Sequence, residues 1–352
     1  MKDITVKTDS GISRVLLGES LKNVDRYLPD GKVIIITDEN VSKHYAGQFP
    51  SFPVIRIGCG EENKNLDTVR KVYHELLKEN TDRSTFILGV GGGVVCDIAG
   101  FVASTFLRGL PFGFVSTSLL SQVDASIGGK NGVNFQGYKN LVGIIRQPRF
   151  VICDHNMLDT LSFREYISGF AEILKHAIIR DRKLFDRIET NLEKVLGRDK
   201  DLIHELITAS VKIKSAVVES DEQEAGLRRV LNYGHTFGHA LETLYDLTHG
   251  EAISLGMMIS NRFSMDRGIL SLNEVLRIDS LFRRLHLMKE VIYDRGKVLK
   301  VMLADKKKYG DTFHYIMISG IGHSCSGEIT LDELRLFNEK LDVQGIFKLV
   351  NP

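Results

Sequence analysis

The chain has 352 residues, 43% hydrophobic and 26% charged, with 46 Lys and Arg against 45 Asp and Glu. At roughly 150 residues per domain, that length predicts two domains and a cleft between them. A formal net charge of +1 argues against a general nucleic-acid or membrane-surface binder, and Gly at 32 with Pro at 6 excludes collagen-like and disordered classes.

Taken in chain order, Ile4–Val6 and Ile12–Leu16 flank Asp9-Ser10-Gly11 and read as a hairpin. The run Lys32–Thr37 is β-branched and continuous, which suits a parallel strand buried on both faces. Val54–Ile57, Thr85–Val90, Phe112–Ser116 and Phe150–Cys153 are further strands, with a helix over Leu66–Lys78. This alternation predicts a doubly wound α/β, Rossmann-like domain over residues 1–160. From 161 to 352 the period changes to 3.6. Helices are expected over Glu165–Ile179, Arg182–Leu196, Leu202–Glu219, Leu227–Tyr245, Ala252–Asp266 and Leu272–Leu285, and a strand over Phe313–Ile318. The glycine-rich stretch around 128–143 reads as an ordered loop, and the acidic run Glu219–Glu224 as a solvated helix face. Cys59, Cys96, Cys153 and Cys325 form no CxxC pair, so free thiols in a reducing cytoplasm are expected. No stretch has the length of a membrane span, and the N-terminus lacks the apolar region of a signal peptide.

Three features point to chemistry. Gly91-Gly92-Gly93-Val94-Val95-Cys96-Asp97 follows a strand and opens a helix at about Val94, where free backbone N–H groups favour a pyrophosphate. The spacing is not GxGxxG. Asp38, at the end of an earlier strand, suits either a ribose hydroxyl or a helix N-cap. Secondly, His235 and His239 stand four apart in GHTFGH, followed by His249-Gly250-Glu251, with Glu172 on an apolar helical stretch. Thr236 occupies the position of the metalloprotease Glu, so protease chemistry is disfavoured. A carboxylate with two or three imidazoles would make an open metal site. Thirdly, Arg108, Lys130, Lys139, Lys175, Lys214 and Arg228 would make a cationic cleft suited to a phosphorylated, carboxylated small molecule.

In order, these segments resemble the 3-dehydroquinate synthase family of the sugar-phosphate cyclases. The carriers are Gly60–Lys64, GGGVVCD at 91–97, Leu119–Lys130, Lys139–Gly143, Glu172–Lys175, Gly226–Asn232 and GHTFGH with His249-Gly250-Glu251. The resemblance implies conversion of 3-deoxy-D-arabino-heptulosonate 7-phosphate to 3-dehydroquinate and phosphate. The steps are transient oxidation by NAD, phosphate elimination, re-reduction and intramolecular aldol closure. It further implies a divalent metal, zinc or cobalt, on Glu172, His235 and His249, with His239 handling a proton. Asp124, Lys130, Asn140, Lys175, Lys214, Glu224, Arg228, Asn232 and Lys306 or Lys307 would line the substrate site, with Arg108 on the phosphate. NAD would meet Asp38, Glu61, Lys64, Gly92, Gly93, Val94, Asp97, Thr117, Ser118, Lys130, Lys139 and the segment ending at Thr160. A cytoplasmic homodimer, with the active site in the interdomain cleft, is the family's usual form. Cys96 and Ser118 depart from the Gly and Thr common there. An NAD-dependent polyol dehydrogenase is the nearest rival, but it has little use for so many Lys and Arg contacts. A non-catalytic scaffold would be expected to have lost a ligand or a lysine.

Overall fold

A computed structural model describes residues 1–306, 312–341 and 348–349. The chain divides into two units, Met1–Ser162 with Ile207–Gln223, and Phe163–Leu206 with Glu224–Pro352. The expectation of an unbroken second domain misses one segment, because Ile207–Gln223 groups with the first unit.

The first unit carries β1 (Lys2–Thr8), β2 (Gly11–Leu17), β3 (Val33–Asp38), α1 (Glu39–Tyr45), β4 (Val54–Ile57), α2 (Leu66–Lys78), β5 (Phe86–Gly91), α3 (Gly93–Thr105), β6 (Phe112–Ser116), β7 (Lys130–Phe135), β8 (Tyr138–Ile145) and β9 (Phe150–Cys153). Seven strands form one sheet in the order β1-β2-β9-β6-β5-β3-β4. β1 runs antiparallel to β2, and the remaining pairings are parallel. The apolar runs of β3 and β5 are buried on both faces, as a sheet covered by helices requires. Leu16, Val33, Ile35, Leu88, Val115 and Ile152 share one core beneath them. From β3 the chain winds outward to β4, then returns to β5 and continues the other way to β6. The winding direction therefore reverses between β3 and β5, and the crevice at their carboxyl ends is where such sheets bind ligands.

The stretch expected as a glycine-rich loop is an antiparallel hairpin, β7 with β8, in which Gly132 faces Gly143. Facing glycines allow the strands to pair but supply no alternating side chains for the sequence to display.

The second unit is mainly helical: α4 (Phe163–Arg180), α5 (Arg182–Thr190), α6 (Leu192–Leu196), the start of α7 (Lys200–Ser220), α8 (His235–Leu244), α9 (His249–Asp266), α10 (Leu272–Arg284), α11 (Arg295–Lys306) and α12 (Leu331–Lys340). It also holds the two-residue strands β10 (Ile292–Tyr293) and β13 (Lys348–Leu349), and a hairpin of β11 (Thr312–Gly320) with β12 (His323–Thr330), of which only β11 was anticipated. Two expected helices are broken. Asn191, outside helical geometry, separates α5 from α6, and Gly234, at φ +81°, divides a short 3-10 turn over Leu227–Asn232 from α8. No described helix is long and apolar enough to cross a membrane.

The acidic run is not a solvated helix face. α7 ends at Ser220. Glu222 is 6% exposed and accepts hydrogen bonds from the Ser10 backbone at 2.9 Å and from Gln147 at 2.8 Å.

Candidate active site

In the first unit, α3 starts at Gly93 with Gly92 as its cap, directly after β5. The first-turn N–H groups therefore lie at the carboxyl end of the sheet, beside the switch between β3 and β5. Asp38, at the tip of β3, caps α1 by accepting from Val41 N at 2.8 Å. Thr117 N donates to Gly91 O at 3.0 Å, and a Cβ at Gly92 would lie 3.2 Å from Ser118 Oγ, so the loop after β6 backs the glycine turn. Cys96 donates its thiol toward Gly91 O at 3.8 Å, and burial pushes that thiol far above its usual pKa. It is an inert filler under the turn.

Val94 and Asp97 lie in the first turns of α3. The Asp97 carboxylate is ion-paired with Lys64, whose side chain is 7% exposed. Burial raises the Asp97 carboxyl even against that ammonium. Glu61 accepts from Asn134 Nδ2 at 2.8 Å, Asn134 N donates to Lys64 O at 2.8 Å, and Asn140 N donates to Asn134 Oδ1 at 2.9 Å. Asn134, which sequence reasoning passed over, thus joins the Gly60–Lys64 loop to the hairpin that carries Lys130, Lys139 and Asn140. Its signal was available only through pairing. Thr160 Oγ1 meets the Tyr45 hydroxyl at 2.8 Å.

Asp124 sits in a single π turn, Ser121–Ala125, a distortion frequent at functional sites. Lys214, from the part of α7 in this unit, reaches Asp124 Oδ1 at 2.5 Å and its carbonyl at 2.6 Å. Arg108 is exposed at φ +67°, beside Leu107 at φ +48°, an uncommon left-handed pair for non-glycine residues.

In the second unit, Glu172, His235 and His249 converge. Glu172 is fully buried on α4, and neither of its oxygens accepts a hydrogen bond among the described residues. His235 Nε2 lies 3.9 Å and His249 Nε2 3.5 Å from Glu172 Oε1. Lys175 is ion-paired with Glu172 one turn along α4. Burial opposes the carboxylate charge, yet Lys175, His249 and His235 hold Glu172 well below the usual carboxylate range. Burial and Lys175 press the His235 imidazole well below its usual value, so it is neutral and its lone pair available. Burial would lower His249 too, but the Glu172 and Glu242 carboxylates push it up to about 10, so positive charge is favoured at this point.

Local packing explains the convergence. Thr248 and Glu251 form a capping box that fixes His249 as the first residue of α9. Gly250 N donates to Ser168 Oγ at 3.0 Å, and a Cβ at Gly250 would collide with the Ser168 carbonyl. Ser168 and Glu172 are one turn apart on α4, so this close approach carries His249 to Glu172. A Cβ at Gly256 would similarly strike the Gly234 carbonyl, which lets α9 pack against the start of α8, where His235 stands. Two imidazole nitrogens and one carboxylate, whose Oε1 accepts no hydrogen bond, fit a catalytic divalent cation that keeps an open position.

His239 lies one turn after His235, with ring centroids 5.1 Å apart. Arg228 is 3% exposed, and Asn232 donates to Glu224, which sits at φ +60°. Lys306 closes α11, but its side chain and Lys307 lie outside the described residues.

Family models for the N-terminal and C-terminal parts of 3-dehydroquinate synthase match residues 54–168 and 169–308. A 3-dehydroquinate synthase from Pelobacter propionicus is 37% identical, over 95% of this chain and 98% of its own. The solved structure of 2-epi-5-epi-valiolone synthase from Streptomyces hygroscopicus, with NAD+ and Zn2+ bound, is 28% identical with a TM-score of 0.84, covering 97% of this chain and 99% of that one. That of a 2-deoxy-scyllo-inosose synthase complexed with carbaglucose-6-phosphate, NAD+ and Co2+ is 25% identical with a TM-score of 0.83, over 96% and 100%. Both the matched models and the full-length relative lead to one conclusion: the chain belongs to the 3-dehydroquinate synthase family.

Proposed function

We propose that this chain converts 3-deoxy-D-arabino-heptulosonate 7-phosphate to 3-dehydroquinate and phosphate, as an NAD- and divalent-metal-dependent carbon–oxygen lyase. The observation that carries the metal assignment is the buried Glu172, whose Oε1 accepts no hydrogen bond and faces two imidazole Nε2 atoms. Support for the nucleotide comes from the glycine turn and helix start at the switch between β3 and β5. Held by Glu172, His235 and His249, a divalent metal, zinc or alternatively cobalt, would acidify a substrate hydroxyl, while NAD would take up and later return one hydride.

The chain's own residues supply position and charge. Lys175 keeps Glu172 ionised and offers an ammonium to the anionic substrate. His239, on the same helix face as His235, holds and moves a proton. Oxidation beside the reacting carbon acidifies its hydrogen, and phosphate departs with the electrons of the C–O bond, its own oxygen assisting as base. Arg108 holds the phosphate. Lys130, Asn140, Lys214 with its partner Asp124, Arg228, and Asn232 with Glu224 orient the sugar acid through re-reduction and the aldol closure. Asp38, Glu61, Lys64, Asp97, Thr117, Ser118, Lys139 and Thr160 serve the nucleotide. The reading includes a cytoplasmic homodimer, whose mass sedimentation would measure.

Purified protein with this substrate and catalytic NAD should release phosphate and dehydroquinate in equal amounts, without accumulating NADH, and should stop on chelation. Absence of product from zinc- or cobalt-reconstituted protein would overturn the assignment, and sustained NADH from a polyol would replace it with a dehydrogenase.

A further inference from the structure

We propose that Glu242 is a positioning residue of the metal centre, holding the His249 ring so that its Nε2 faces Glu172. The inference rests on the ligand assignment proposed above. Along α8, His235, His239 and Glu242 follow one another at spacings of four and three, which places all three on one face. One helix therefore presents a ligand directly and reaches a second ligand on the neighbouring helix α9.

The His249 ring is bracketed at both nitrogens. Nδ1 lies 3.5 Å from Glu242 Oε1, and Nε2 lies 3.5 Å from Glu172 Oε1. The His235 ring is bracketed in the same sense, with Nδ1 3.2 Å from the Tyr233 carbonyl and Nε2 3.9 Å from Glu172 Oε1. With Nε2 committed to a metal, an oxygen acceptor at Nδ1 would hold each ring's remaining proton there and fix the ring's orientation. The two acceptors differ in kind. A backbone carbonyl two residues away comes with the chain geometry, whereas Glu242 belongs to another helix and must be specified by the sequence. Its side chain is 10% exposed, so the contact is largely shielded from water. Glu242 itself is outside the converging ligand set, which is Glu172, His235 and His249. Its charge also adds to that of Glu172 across the ring, which strengthens a nitrogen donor.

Glu242→Gln keeps the size of the side chain but removes its charge, and Glu242→Asp keeps the charge on a shorter arm. Three quantities would be measured on the full chain: zinc affinity by competition with a chromophoric chelator, the visible spectrum of the cobalt(II)-loaded protein, and the thermal midpoint without metal. We expect E242Q to bind zinc 10–100-fold more weakly, to change the cobalt spectrum, and to melt near wild type without metal, while E242D recovers part of the affinity. Wild-type zinc affinity and an unchanged cobalt spectrum in E242Q would overturn the inference. So would a loss of affinity matched by a lower metal-free midpoint, with no recovery in E242D, since that describes a merely structural residue. His249→Ala separates the two levels: if it binds zinc like wild type, the ligand assignment fails and this inference with it. If H249A loses zinc while E242Q does not, only the role of Glu242 is refuted.

Discussion

Arg164 grips Glu251 with two hydrogen bonds, Nε to Oε1 at 2.9 Å and Nη2 to Oε2 at 2.8 Å, and Glu251 caps the helix that begins with His249. Glu251 of the His249-Gly250-Glu251 stretch is thus a structural clamp that holds the start of the helix carrying His249. Arg164→Ala is expected to cost about 1 kcal/mol, since the guanidinium is 45% exposed and part of its pairing is screened by water. Glu251→Gln loses the charge-assisted pairing and weakens the cap, for about 1–3 kcal/mol. Urea unfolding measures both, and both variants should still bind zinc, more weakly than wild type.

Removing any one of Glu172, His235 or His249 by alanine should abolish stoichiometric zinc binding and reduce turnover by about 1000-fold or more, because no open catalytic site keeps its metal on two donors. Metal content after dialysis is the direct measure. Retained zinc in Glu172→Ala would falsify the ligand set.

The ion pair of Lys64 with Asp97 is expected to organise the nucleotide side alone. Lys64→Ala leaves a shielded carboxylate without its counter-ion, so NAD affinity should fall at least about tenfold, with a loss of stability of up to a few kcal/mol. Zinc stoichiometry should not move. Fluorescence titration with NADH and metal analysis on the same sample test the two halves of this statement.

Acid stability should depend on Glu222. Burial works against its charge, but hydrogen bonds from Ser10 and Gln147 hold the carboxyl at about 2, below the ordinary 4.5. A depressed folded value means that the charged form is favoured by folding. The contribution, roughly 3 kcal/mol at most, is fully present above the unfolded value and fades as pH falls from 4.5 through about 2. Glu222→Gln should therefore be less stable than wild type near neutrality, and the difference should close in acid. A gap that stays constant with pH would argue against it.

Gly250→Ala drives a methyl group into the Ser168 carbonyl. Backbone cannot yield as a flexible side chain does, so about 1–3 kcal/mol is expected, with zinc affinity falling as α9 is pushed from α4. Calorimetry of the metal-free and zinc-loaded forms would show whether both effects occur.

Much of this protein is legible in local sequence. The buried runs of β3 and β5, the helix start after Gly91-Gly92-Gly93, and the spacing of His235, His239 and His249 are short-range patterns, and periodicity and glycine placement record them directly. The family motifs then point to Glu172 as the carboxylate. What periodicity misses is whatever depends on a partner far along the chain. The hairpin of β7 with β8 hides behind facing glycines, Asn134 acquires meaning only from Glu61 and Asn140, and Glu222 reads as solvated until Ser10 and Gln147 close over it. Glu242 is the sharpest case. It is an unremarkable acid on an amphipathic helix until α9 packs across α8 and sets the His249 ring against it. Sequence by itself determined the buried strand runs, the helix start after the glycine turn and the residue types of its chemistry, because these follow from local periodicity and motif spacing. Tertiary structure alone decided which nitrogen of each imidazole faces Glu172, because that depends on where a second helix places an acceptor.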